Sequence, residues 1–382
     1  MVLKHASRYE ILGFLLLIMR WYFSETRSGE RSFMGKAILK RSTFVLLASV
    51  MIVLYALPSY VHGMPGDKAV ISVTDFRGKT ISFKKPVNRI ICLIESALSG
   101  LYMLGVADKV VGISANIYSG NVFPYYAELD KRIRTRRLPA PGNWDFVNIE
   151  SVISLKPDLV IIWAHQTESI RALEERGIPV FGVFIEKKED VYSEIATFGK
   201  LTGREKRAEQ LIQYTKREID RIEKEIKAIP DSRRPSVYYM WAQGNLETSC
   251  GGSTVNDLIT LAGGKNVCSH IPREHVVISM ENLLSWKPDI IVMWFNEKKD
   301  PLHILRDPQL LTIKAVKEGK VYEFDDVFHS DLWTLKFQHA ARIVAKWCHP
   351  EAFRNMDLEG EKKKMWNALY GIDTDMLTGR KP

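Results

Sequence analysis

Short apolar runs alternate along this chain with stretches whose apolar residues fall at helical spacing. The pair of alternating segments in "ISVTDFRGKTISF", around Gly78, predicts a hairpin. The apolar runs "RIICLI", "KVVGIS", "DLVIIW" and "PVFGVF" follow. Between them lie "SALSGLYML", stopped at Gly105, a helical phrase over about Ile149–Leu155, and "SIRALEERG", stopped at Gly177. Continuous apolar strands separated by helices predict a parallel sheet covered on both faces.

From Val191 to Ile229 the texture changes. Ile195, Leu201, Ala208, Leu211, Ile219, Ile222 and Ile226 recur at helical spacing among charged residues. "TGRE" at Thr202–Glu205 reads as a capping box. A helix starting there and reaching Ile229 would be a rod of roughly 40 Å. Beyond Pro235 the alternation restarts with the strand "SVYYMW" and the helix "STVNDLITLAGG", capped by Ser253 or Thr254. The strand "KVYEF" and a helix from about Asp331 to Cys348 complete it.

One phrase occurs twice. "NIESVISLKPDLVIIW" starts at Asn148 and "SMENLLSWKPDIIVMW" at Ser279, with Glu, Ser, Lys, Pro, Asp and the final Trp in register. In each copy the proline ends a helix, because the residue before it is pushed out of the helical region. The repetition predicts duplicated architecture: an α/β fold of two Rossmann-like lobes with mostly parallel sheets, joined by a single long α-helix. The expected division is an N-terminal extension and signal segment over 1–63 and an N-terminal α/β lobe over 64–188. A linking helical segment over 189–230, a C-terminal α/β lobe over 231–355 and a C-terminal tail over 356–382 follow.

Composition and charge narrow the partners. The 382 residues are 46% hydrophobic, enough for a sizeable core, and carry a formal charge of +9. Residues 1–63 hold eight Lys/Arg against three Glu, so they account for +5 of it and leave +4 on the rest. No extended cationic tract marks a nucleic-acid partner. Lys36, Lys40 and Arg41 precede the apolar run "FVLLASVMIVLYALP", and "VHG" ends in the small Gly63. This order describes a secretory signal cleaved after Gly63, with Met34 as the expected start. It predicts a periplasmic protein, or a membrane-anchored extracytoplasmic one if the signal stays uncleaved. No Cys near the exit offers a lipid-attachment site.

Ligands of open parallel sheets sit outside the carboxyl ends of strands. Trp163, Trp241 and Trp294, the last followed by Phe295, end such strands. Trp144 in "PGNWDF" and Trp333 in "HSDLW" belong to loops or helix starts expected on the same side. Facing lobes would line the gap with rings suited to a flat or bulky ligand; a single strand-end Trp more often serves as core packing, and it is the set that points to the gap. Glu95 and Ser96 follow the first strand, either meeting ligand or capping the next helix. His329 reads either as an axial ligand for a metal-centred molecule or as a satisfied loop residue. Glu150 and Glu281 occupy matching first-turn positions, either docking a basic partner or complementing the helix dipole. Lys131, Arg132, Arg134, Arg136 and Arg137 form a basic cluster, read as an anion attractor or a solvated edge strand. Cys250 and Cys268 can pair as a disulfide in an oxidising compartment, or remain buried thiols.

Several chemistries are absent. There is no GxxxxGK[ST], no GxGxxG after the first strand, no HExxH and no GxSxG. With no nucleophile–base pair in view, the chain is expected to hold a ligand rather than to act as an enzyme, without cofactor or resident metal.

The segments "VTDFRGKTI", "RIICLIESALSGLYMLGVADKVVGI", "NIESVISLKPDLVI", "FGKLTGREKRAEQLI", "GGSTVNDLITLAGGKNV" and "ISMENLLSWKPDIIV" occur in an order and spacing that carry a resemblance. From about Val70 to Phe353 the chain resembles the substrate-binding proteins of ABC importers for ferric siderophores, haem and vitamin B12, the class with two lobes joined by a rigid helix. The resemblance implies a monomeric protein that binds a small-molecule metal chelate between its lobes and delivers it to a permease dimer with its ATPase. An iron–siderophore complex is the first expectation, a corrinoid or haem the next. In the family the acid of each repeated phrase docks on permease arginines, which maps onto Glu150 and Glu281. The chain departs from the family at "CLIES", where small residues and proline are usual. Rivals of other classes are a tetrapyrrole metal chelatase-like enzyme and a membrane-anchored ligand sensor.

Overall fold

The computed structural model describes residues 70–372 apart from 297 and 325. The expected signal segment, its cleavage point and Met34 lie outside the described residues, as do residues 373–382 of the expected tail. Strands β1 (Ile71–Thr74) and β2 (Thr80–Phe83) form the antiparallel hairpin, with Ile71 opposite Phe83. The first parallel sheet comprises β3 (Ile90–Cys92), β4 (Val110–Ile113), β5 (Leu159–Trp163) and β6 (Val180–Val183), in the order β4-β3-β5-β6. The second lobe contains β7 (Ser236–Met240), β8 (Glu247–Thr248), β9 (Lys265–Asn266), β10 (Val276–Val277), β11 (Ile290–Met293) and β12 (Val321–Glu323). Its parallel sheet has the order β12-β11-β7-β9, and β8 pairs antiparallel with β10 outside it. Counted within each lobe, both sheets wind 2-1-3-4. The duplication expected from the repeated phrase is therefore present in the fold.

The phrase itself has a mechanical task. Its helices, Ile149–Ser154 and Met280–Trp286, are capped by Asn148 accepting from Ser151 N at 2.9 Å and by Ser279 accepting from Asn282 N at 3.2 Å. Lys156 and Lys287 then take left-handed backbone at φ 46° and 47°, turning the chain ahead of the prolines. Next, each Asp fastens the third strand of its lobe to the first. Asp158 accepts from the backbone N–H groups of Asn88 and Arg89 at 2.8 and 3.0 Å. Asp289 accepts from Ser236 N and Ser236 Oγ, both at 2.8 Å. The same three residues thus end a helix, reverse the chain and fix strand register in each half.

The join between lobes consists of helices Lys188–Thr202 and Glu205–Lys227. The capping box expected at Thr202–Glu205 does not form. Thr202 ends the earlier helix and its hydroxyl donates to Phe198 O at 2.6 Å, while Gly203 at φ 73° makes the break. Only glycine adopts that conformation without penalty. The 23-residue second helix spans about 35 Å. Its Ala208, Leu211 and Ile212 sit in the core of the first lobe, and its Ile219, Ile222 and Ile226 in a core of the second. A strut rooted in both cores resists bending.

Two further segments bridge the lobes. Phe328 and Leu335 enter the first core, whereas Phe324, Leu332 and Phe337 enter the second. The helix expected from Asp331 begins only at Phe337, because this lacing segment stays irregular: Asp331 accepts from Trp333 N at 2.9 Å. The segment assigned by sequence to a tail contains a helix, Leu358–Tyr370, which returns to the first lobe and buries Met365, Trp366 and Leu369 there. Tyr370 and Ser99 hydroxyls meet at 2.6 Å, and Arg207 donates to Ala368 O and Leu369 O.

The basic cluster is not an edge strand. Lys131–Arg134 is a short helix capped by Asp130, which also pairs with Arg132 at 2.7 Å. Arg132 donates onward to Val110 O and Ala107 O, and Arg136 lies over the Tyr118 and Phe123 rings. Cys250 and Cys268 form a disulfide with Cα atoms 5.0 Å apart, while Cys92 and Cys348 are buried free thiols. Among the described residues no helix is long and apolar enough to cross a membrane.

Candidate functional site

Both sheets direct their carboxyl ends toward one cleft of about 590 Å³ between the lobes. The first lobe brings Glu95 and Ser96 from beyond β3, Asn116 from beyond β4, and Trp163 and His165 from the end of β5. Trp144 and Asp145 reach it from the loop ahead of the first repeated phrase. The second lobe brings Trp294 from the end of β11, Glu274 from a loop, and Asp331 and Trp333 from the lacing segment.

Trp333 is the hub of the floor. Its ring meets Trp163 of the first lobe edge-on at 6.5 Å and Trp294 of the second at 6.3 Å. Trp241 stacks beneath it at 5.8 Å with an interplanar angle of 3°. Trp241 is therefore a support, not a lining residue: it is 6% exposed and its indole N–H donates to Ser249 Oγ at 2.8 Å. The expectation that it faces ligand is corrected. It ends a central strand, and Trp333 covers it. Phe295 is half-buried and is not among the residues that line the cleft.

His329 is also corrected. It is buried between Tyr125, Phe328 and Trp366. The indole N–H of Trp366 donates to His329 Nε2, and an indole offers no acceptor. His329 must then carry its proton on Nδ1, which donates to Asp326. Burial pushes its pKa down, which suits the neutral form. Both ring nitrogens are occupied, so neither can serve a metal-centred ligand. Nothing in the sequence places Trp366 there, since the helix carrying it reads as a tail.

Acids shape the electrostatics. Glu95 accepts from Ser114 Oγ at 2.8 Å; burial raises its pKa, and Asp331 adds to the rise. Burial likewise raises Asp331 and Glu274. Lys336 stands behind Asp331 at 3.9 Å with its ammonium 3.6 Å from the Phe328 ring centroid, and burial lowers its pKa to about 8. Sequence reasoning missed Asp145, His165, Glu274 and Asp331. His165 and Asp331 each lie two residues from a tryptophan already proposed for the cleft, a spacing signal that was available.

Glu150 and Glu281 are exposed in the first turns of their helices. Glu281 is held below the usual carboxyl range by its own backbone N–H and by the Ser279 hydroxyl. These helices run back against parallel strands, so their N-termini lie on the carboxyl side of each sheet, the side of the cleft. The geometry accommodates both docking and dipole complementation.

The chain belongs to the periplasmic binding protein family, whose profile matches residues 90–327. It is similar to the ABC transporter substrate-binding lipoprotein YvrC of Bacillus subtilis, at 27% identity covering 67% of this chain and 78% of that one. It is also similar to the molybdate-binding protein MolA of Haemophilus influenzae, at 22% identity over 78% and 89% of the two chains. Helicobacter pylori CeuE, solved with nickel and histidine, shares the fold with a TM-score of 0.68 at 21% identity, covering 81% of this chain and 99% of that one. The protein is a two-lobed substrate-binding protein of the ABC-transporter type.

Proposed function

We propose that this protein captures a metal chelate in the cleft between its lobes outside the cytoplasm and delivers it to an ABC permease dimer. An iron–siderophore complex is the first choice of cargo, with a corrinoid or haem next. The observation that carries this reading is the floor of tryptophans contributed by both lobes and gathered on Trp333. Aromatic rings offer large contact area with few rotamers to freeze, which suits a bulky ligand with flat faces. Among the described residues no group of three or more His, Cys, Asp or Glu is placed to hold a metal ion. A metal arriving already chelated fits such a site better than a bare ion. MolA binds molybdate, an oxyanion, and the acid-rich lining here gives that ligand no support.

The test is a titration of the purified protein with ferric siderophores, haem and cobalamin, followed by tryptophan fluorescence. At least one chelate should quench strongly, since Trp144, Trp163, Trp294 and Trp333 line the cleft. Silence across the whole panel removes the proposal.

A further inference from the structure

The cleft is lopsided in charge. Glu95 and Asp145 line it from the first lobe and Glu274 and Asp331 from the second, while no lysine or arginine appears among the described lining residues. No salt-bridge partner occurs for Glu95, Asp145 or Glu274 among the described residues. Lys336 faces Asp331 from behind, is 1% exposed, and is spent on that acid and on the Phe328 ring. The aromatic floor favours the same sign, because the face of an indole ring attracts cations. Two independent features, the carboxylates and the ring faces, therefore prefer positive charge on the ligand.

Resting on the chelate-capture reading above, we infer that the cleft selects chelates of zero or positive net charge, with ferric trihydroxamates bearing a free ammonium preferred. The arithmetic follows from elementary charges. Three singly charged hydroxamates balance a ferric ion, and a pendant ammonium makes the complex a cation. Three doubly charged catecholates leave the complex with three negative charges. Such an anion meets four acidic side chains with no lysine or arginine in the lining to offset them, Lys336 being held behind Asp331, and like-charge juxtaposition costs on the order of a hundredfold or more in affinity. Glu95 and Asp331 approach the ligand from opposite lobes, so a cation between them also relieves their mutual repulsion.

The experiment titrates the full-length protein with an ammonium-bearing ferric trihydroxamate, an uncharged ferric trihydroxamate and a ferric tris-catecholate, reading tryptophan fluorescence. The cation should bind tightest and the tris-catecholate about a hundredfold more weakly or not at all. Raising the salt concentration should narrow the gap, since screening weakens the field of the acids. Glu95→Gln with Glu274→Gln should lower affinity for the cation about tenfold more than for the uncharged complex; thermal unfolding checks that the variant folds, and the salt series on the unmodified chain tests the same point if it does not. Tris-catecholate binding as tight as the cation, or a charge preference unmoved by salt, overturns the charge inference and leaves chelate capture standing. Haem binding alone overturns it too, because its two propionates leave haem a net anion. No response to any of these complexes or to cobalamin overturns chelate capture and the charge inference together.

Discussion

The two lobes agree in winding and differ in what they hang on the ends of their strands. Each threads its four main strands 2-1-3-4 and repeats the Lys-Pro-Asp device that fastens the third strand to the first. Their mouths share little. The first lobe offers Glu95, Asn116 and His165, whereas the second offers Glu274, Asp331 and Trp333. What recurs is what the topology needs for register. What diverges lines the cleft. Trp163 and Trp294 belong to both groups, as the last residue of the repeated phrase and as walls of the cleft.

The strongest test of the likeness concerns the outward-facing acids. If both docking surfaces are used, Glu150→Ala and Glu281→Ala should each weaken uptake, and the double variant should abolish it, with ligand affinity unchanged. Both side chains are exposed and neither is among the lining residues, so the cleft should not register their loss. Uptake at the ordinary rate in the double variant returns both acids to helix-end stabilisation, worth about 0.3–1 kcal/mol each.

A sharper contrast lies between two tryptophans of the second lobe. Trp333 meets rings of both lobes, while the rings that Trp241 meets among the described residues are the second lobe's Tyr239 and Trp294 and the hub itself. Trp333→Ala should reduce chelate affinity by about a hundredfold, roughly 2.7 kcal/mol, as expected for an aromatic anchor at a site centre. Trp241→Phe keeps an aromatic support but strands the Ser249 hydroxyl. It should cost about 1–3 kcal/mol of stability, measured by urea unfolding, with a smaller effect on affinity. Equal affinity losses in the two variants would refute the distinction between floor and support.

Buried charges give a third comparison. Arg342 of the second lobe is paired with Glu218 on the strut and supported by Gln338 at 2.6 Å. Glu194, on the first helix of the join, is 1% exposed, and its Oε1 has no hydrogen-bond partner among the described residues. Burial holds its pKa well above the ordinary 4.5, with Asp331 adding to the rise. A raised folded-state pKa means the stability contribution is full below the unfolded value and is lost as pH rises through the folded one. Urea midpoints should therefore fall with rising pH in the unmodified chain. Glu194→Gln should flatten much of that slope and gain about 1–3 kcal/mol on the alkaline side. Some slope remains, because burial raises Glu95 and Asp331 in the same direction.

Much of this fold was legible because its signals are local. Apolar runs gave the strands, and the phrase recurring at Asn148 and Ser279 gave the duplication. The cleft was legible where a residue directly ends or follows a strand, as with Glu95, Trp163 and Trp294. It failed where a distant segment decides the surroundings. His329 depends on Trp366, 37 positions away in a helix with no visible partner in the sequence, and Trp241 depends on being covered by Trp333. The "TGRE" signal failed for another reason. Two close-packed helices need a tight break, which Gly203 supplies, and Gly199 lets Ala208 approach so closely that a Cβ on it would lie 2.6 Å from that of Ala208.

The smallest expected effect tests the likeness at its finest scale. Lys156 and Lys287 both adopt left-handed backbone directly before proline, at φ values one degree apart. For a residue with a Cβ that conformation costs roughly 1–2 kcal/mol, whereas glycine enters it freely. Proline next in sequence already narrows the choices of its neighbour in the unfolded chain, so glycine's usual entropic penalty is reduced here. Lys156→Gly and Lys287→Gly should each stabilise the protein by about 0.5–1 kcal/mol, read as a shift in the urea midpoint without a change in slope. Alanine at either position retains the Cβ and should give no such gain. Matching shifts from the two glycine variants mean that the turns are mechanically equivalent; a gain at only one means that the lobes have diverged even in the element they repeat.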